Sequence, residues 1–135
     1  MATNASIAVV DLEGQVHSIN LHWDGYIEFA GKILKEHYNN LDAALKLVSK
    51  GNLSVLGKYI EPSPDYPHNF ESSQADVCLY YGRDRGEDNT DCIVDSNITE
   101  YIDLGCDYDY NYLFVDGEWK VSEYDLCNFK SYNIE

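Results

Sequence analysis

Apolar and polar residues alternate with a period of two near both ends of the chain and with a period close to 3.6 between them. Ile7–Asp11 is rich in β-branched residues, Glu13-Gly14 supplies a turn, and Val16 to His22 alternates. This predicts a β-hairpin with Ile19 and Leu21 on the core face and His17 at the edge of that face. In DGYIEFAGKILKEHYNN, the residues Tyr26, Phe29, Ala30, Ile33, Leu34 and His37 fall on one helical stripe. Asp24 stands where a cap would start that helix. Asn40 caps a second helix, whose stripe is Leu41, Ala44, Leu45 and Val48 and which Gly51 ends. The first part of the chain therefore reads ββαα.

Residues 57–75 hold three prolines and little periodicity, the pattern of a loop. ADVCLYYG predicts an interior strand, which RDRGEDNT breaks. The span Cys92–Tyr108 fits a strand or a short helix. YNYLFVDGEWKVSEYD is the clearest hairpin: Asp116-Gly117 suits a two-residue type I′ turn. That turn pairs Val115 with Glu118, Phe114 with Trp119, Leu113 with Lys120 and Tyr112 with Val121. Tyr112, Phe114, Trp119 and Val121 then share the core face. The expected class is α+β, an antiparallel β-sheet with two helices packed on one face, in a single domain over residues 1–135.

Composition supports a folded chain. Hydrophobic residues make up 44 % and aromatics 13 %, and acidic disordered chains are poor in aromatics. Charge changes the picture more. The formal net charge is −15, and residues 61–135 carry eighteen acids against four bases. Residues 1–60 are almost balanced, with six acids and five bases. Such a body repels nucleic acid and anionic membrane, and attracts basic surfaces, including those of proteins that grip phosphates. No apolar run approaches the roughly 20 residues of a membrane span. Met1–Ser6 is polar, unlike a signal peptide, so a cytosolic setting is expected. The four cysteines lack a C-x-x-C pair and read as small buried hydrophobes.

Three blocks, LHWDGYIEFAGKILKEHY, VCLYYGRDRGED and YNYLFVDGEWKVS, resemble a family of small bacteriophage and prophage proteins. That family shares an HWDGY–helix–EHY block, a GRDRGE block and a YLF-x-DG-x-W-x-VS hairpin. Its members commonly carry proline where this chain has Ile27, a difference confined to the first helical turn. The resemblance implies a phage origin, hence the cytoplasm of an infected bacterial host, and transfers no catalytic residue.

The segment Asp84 to Asp109 concentrates the chemistry. It holds nine acids, Asp84, Glu87, Asp88, Asp91, Asp95, Glu100, Asp103, Asp107 and Asp109, against the single base Arg85. One reading is a solvated surface. The sharper reading is a phosphate mimic, because strand residues i and i+2 share a face about 6.5–7 Å apart. Asp107 and Asp109 have that spacing, and Asp91 and Asp95 extend the row in an extended chain. Tyr101, Tyr108 and Tyr110 would anchor the surface. Arg83 and Arg85 are expected to pair with neighbouring carboxylates and hold the segment in shape.

Other chemistry is weaker. Asp107-Tyr108-Asp109 is a lone DxD, and Asp84–Asp95 breaks the EF-hand pattern by placing Gly86 at position 3. Zinc spacing is missing, so no metal or cofactor is assigned. His22 and Asp24 in HWDGY could form an acid–base pair. The structural alternative packs Trp23 in the core and uses Asp24-Gly25 as a strand-to-helix turn. The expected function is a non-enzymatic DNA mimic, an anti-CRISPR or anti-restriction inhibitor that binds a basic nucleic-acid-binding host protein. A small metal-dependent or His/Asp-based enzyme is one alternative. A phage structural or assembly protein is another, disfavoured because no exposed apolar stripe is visible in the pattern. The target and the oligomeric state are open.

Overall fold

Turns at Asp11–Gln15 and Asp116-Gly117 fold the first and last long strands into two hairpins. The computed structural model describes residues 3–103, 108–123, 126 and 129–132. In the first turn the Asp11 carboxylate accepts the Glu13 and Gln15 amides, each at 2.9 Å. In the second, Asp116 and Gly117 have φ of 53° and 80°, as a type I′ turn requires. The first hairpin joins β1 (Ala5–Val10) to β2 (Val16–Leu21), and the second joins β6 (Tyr110–Val115) to β7 (Glu118–Glu123). The β6–β7 register is the one that alternation predicts, with Phe114 opposite Trp119 and Tyr112 opposite Val121.

Between the hairpins lie β3 (Leu53–Val55), β4 (Leu79–Tyr80) and β5 (Ile93–Asp95), and β8 (Lys130–Ser131) follows them. The sheet runs β4-β3-β2-β1-β6-β7-β8, with β5 also paired to β2. The class is α+β, but the sheet is mixed rather than wholly antiparallel. The two hairpins meet through a parallel β1–β6 pair, from Ala5 opposite Tyr110 to Val9 opposite Phe114. Leu21 and Leu53 make a second parallel contact. Each hairpin's internal pairing is local, whereas the edge on which two hairpins join is a long-range choice.

The first helix also departs from expectation. Ile27–Gly31 is a π-helical turn that leads into α1 (Lys32–His37), and Tyr26, not Asp24, precedes it. The wider π turn breaks the 3.6-residue register. Ala30, Ile33 and Leu34 stay buried while Tyr26 and His37 at the two ends are exposed. In α2 (Leu41–Ser49) the Asn40 cap is present, its Oδ1 accepting the Ala43 amide at 2.8 Å. Leu47, outside the anticipated stripe, is buried beside Ala44 and Val48.

The main core lies between α1, α2 and one sheet face, where Ile7, Val9, Ile19, Leu21, Tyr112, Phe114 and Val121 meet Leu34, Leu47 and Val48. Trp119 is fully buried there, donates from Nε1 to the Tyr38 carbonyl at 3.0 Å, and meets Phe114 edge-on at 5.2 Å. A smaller cluster on the opposite face gathers Ala8, Val16, Leu113 and Leu126 with Tyr101 of α4 (Ile98–Asp103). Helices therefore cover both faces, not one. β4 is a two-residue end strand of the sheet rather than an interior strand. Leu79 and Tyr80 are buried, and the irregular chain before them ties back through Tyr59 paired with Val77.

Candidate functional site

The GRDRGED motif places a short helix, α3 (Tyr81–Arg85), directly after β4. Asp84 points inward from it. Its Oδ2 accepts the Tyr80 amide at 2.8 Å, and the Arg83 guanidinium grips both carboxylate oxygens. Arg83 also donates to the Ile60 and Cys78 carbonyls at 2.6 and 2.8 Å. His68 completes the knot. Its Nδ1 accepts the Gln74 amide, which leaves the proton on Nε2 to donate to the Cys78 carbonyl at 2.9 Å. That Nε2 lies 3.6 Å from Asp84 Oδ2. With its side chain only 5 % exposed, Asp84 is an internal anchor, which corrects its expected place on the partner surface. Arg85 pairs with Glu87 at 3.7 Å and lies over the Phe70 ring. Both arginines thus hold neighbouring carboxylates, as the motif suggests.

Beyond this anchor the acidic segment is threaded along the fold. Gly86 turns it with φ of 72°, and the Asn52 amide donates to the Thr90 carbonyl at 2.8 Å. Gly51 makes this approach possible: a Cβ there would stand 2.2 Å from the Thr90 oxygen. β5 then pairs antiparallel with β2, Ile93 opposite Ser18 and Asp95 opposite Val16. Among the described residues no strand covers the other edge of β5. Asn97 starts α4 by accepting the Glu100 amide at 2.9 Å, and Glu100 reaches back to the Ser96 amide.

This path sorts the sequence-derived site residues. Glu87, Asp88, Asp91 and Glu100 are exposed. Asp95 is half-buried, with Oδ2 closed off from solvent. Burial, and secondarily the Glu100 charge, push its carboxyl above the ordinary range. Tyr101 is 1 % exposed and belongs to the second core, so it is no surface anchor. Tyr108, Asp109 and Tyr110 are half-buried. Asp103 closes α4, and Asp107 lies outside the described residues. Asp109 precedes β6 in a bend, so a strand spacing does not describe it, and the regular strand between Asp91 and Asp95 covers only Ile93–Asp95.

The acidic segment also carries exposed apolar residues. Ile93, Val94 and Ile98 are 57, 50 and 36 % exposed. β5 joins the sheet at an edge, and none of the three belongs to either hydrophobic cluster. Exposed apolar side chains thus stand among the exposed acids along this segment, Ile93 and Val94 on opposite faces of β5, where the sequence pattern showed no exposed apolar stripe.

HWDGY also resolves differently. Trp23 is 44 % exposed rather than packed in the core, and it stacks on His22 with ring centroids 4.9 Å apart. His22 Nδ1 shares a 2.9 Å hydrogen bond with the Tyr81 hydroxyl, a partner 59 residues away. Asp24, at φ of 58°, turns the chain with Gly25, as the structural reading expects. The Gly25 carbonyl accepts the Tyr112 hydroxyl at 2.7 Å.

Among the described residues no group of three or more His, Cys, Asp or Glu side chains is placed to hold a metal ion. No helix among them is long and apolar enough to cross a membrane. Cys78 is buried and Cys92 half-buried, while Cys106 and Cys127 lie outside the described residues. Burial pushes the Cys92 thiol up to about 11, so it is held as the thiol at neutral pH. No protein-family model, curated protein or solved structure matches this chain.

Proposed function

We propose that this chain is a phage-encoded, non-enzymatic inhibitor that binds a basic, nucleic-acid-binding host protein through the β5–α4 edge. A defence nuclease of CRISPR or restriction type fits that description. One observation carries the reading: exposed Glu87, Asp88, Asp91 and Glu100 accompany the exposed apolar residues Ile93, Val94 and Ile98 along an open strand edge. Carboxylates standing in for phosphates steer the encounter with a basic surface. The apolar residues supply the short-range burial that a water-filled electrostatic contact lacks. A surface of this kind suits a protein partner better than a cation or a small anion. The setting, the cytoplasm of an infected cell, rests on the likeness of the three motif blocks to phage proteins.

Capture from bacterial lysate tests the reading. The tagged full-length chain is expected to retain a basic nucleic-acid-processing protein at low salt and release it at high salt. An Ile93→Lys variant and a combined Glu87→Gln, Asp88→Asn, Asp91→Asn variant should both lose the capture. If both variants capture as the parent does, this edge is not the interface.

A further inference from the structure

Beside the acidic edge, the end of β2, β3 and α3 enclose an open cleft of about 550 Å³. We propose that this cleft binds a neutral carbohydrate, one or two rings of an oligosaccharide. The volume lies within the range of small-ligand sites. Three asparagines, Asn4, Asn20 and Asn52, line it together with the aromatic residues His22, Tyr81 and Tyr108. Each amide offers a donor and an acceptor, which matches adjacent sugar hydroxyls that both give and take hydrogen bonds. The Asn20 backbone amide donates to Asn52 Oδ1 at 2.9 Å, and His22 and Tyr81 orient each other, so part of this polar wall is set before any ligand arrives.

Charge and ring geometry select the ligand class. The described lining carries one charge of each sign, Arg85 and Glu87, 3.7 Å apart, so it offers no net charge to an ionic ligand. A chain with net charge −15 also repels phosphates and nucleotides. The His22 and Tyr81 rings are tilted by 42°, so these two do not form a parallel slot for a nucleobase. One face of His22 is already covered by Trp23, a residue that is itself 44 % exposed. Single open aromatic faces suit a pyranose ring, which packs its C–H side on one ring and sends its hydroxyls outward to polar partners.

Titration of the full-length protein with chitotriose, maltotriose and cellotriose, preceded by a printed array of neutral oligosaccharides, tests this. Trp23 is the fluorescent reporter, since Trp119 is fully buried. At least one neutral sugar should bind saturably and change the Trp23 emission. Tyr81→Phe and Asn20→Ala should each weaken that binding roughly three- to tenfold, the loss of one hydrogen bond, at unchanged melting temperature. Absence of binding across the array overturns the proposal. So does binding that both variants leave intact, or tighter binding of adenosine or AMP than of any sugar. The variants lie outside the acidic edge, so either result is independent of inhibitor activity.

Discussion

Arg83 and Asp84, adjacent in sequence, grip each other at two points, Nε to Oδ1 at 2.9 Å and Nη2 to Oδ2 at 3.0 Å. The same guanidinium holds the carbonyls of Ile60 and Cys78, so one ion pair ties the proline-rich loop, β4 and α3 together. Asp84→Asn leaves a largely buried arginine without its counter-charge and should cost about 3 kcal/mol. Asp88→Asn, on the exposed rim, should change stability by less than about 0.5 kcal/mol. Urea unfolding of the two variants checks this, and equal midpoints would refute the anchor role.

Rim and centre of the β5–α4 edge should act on different rate constants. Neutralising Glu87, Asp88 and Asp91 weakens steering, so association with the captured partner should slow at low salt and depend less steeply on salt. Ile93→Lys removes short-range burial and adds an ammonium facing a basic partner, so dissociation should quicken. Surface plasmon resonance at two ionic strengths separates these effects.

Asp11 and His17 meet at 2.7 Å across the first hairpin. The hydrogen bond from His17 holds the Asp11 carboxyl below its ordinary value of 3.8, helped by the Gln15 and Glu13 amides. A depressed carboxylate stabilises the fold above that ordinary value, and the contribution fades as pH falls through the lowered one. In His17→Ala the Asp11 midpoint should move up toward 3.8, and the turn should loosen at a higher pH than in the parent. Carboxyl-carbon NMR titration reads both.

Asp95 has the opposite sign. Its carboxyl is raised by burial and by Glu100, so the native chain binds a proton more tightly than the unfolded one. Stability tied to this group is therefore lost as pH rises from its ordinary value through the raised one. Asp95→Asn mimics the protonated form and should raise the melting temperature at pH 7, with the gain vanishing in acid. A variant that melts lower at pH 7 would show that the charged form is held by a partner.

How much of this was legible in the sequence depends on the range of the interaction involved. The β6–β7 register followed from Asp116-Gly117 and the alternation beside it, because a type I′ turn leaves one pairing. The Asn40 cap followed from an amide three residues away. The Arg83–Asp84 pair lay in adjacent residues, yet its burial did not, because depth depends on Ile60, His68 and Cys78 arriving from elsewhere. Periodicity marked Ile93 and Val94 as apolar but could not tell core from edge. It could not join β1 to β6 in parallel, or bring Tyr81 to His22 in place of Asp24. The amino-acid order by itself determined the turns, the capped second helix, the β6–β7 register and the surplus of negative charge, all set by neighbours within a few residues. Only the tertiary structure decided which carboxylates face water, which apolar residues stay uncovered and which ring meets His22. Those outcomes depend on segments tens of residues apart closing on one another, and on the dielectric each side chain then meets.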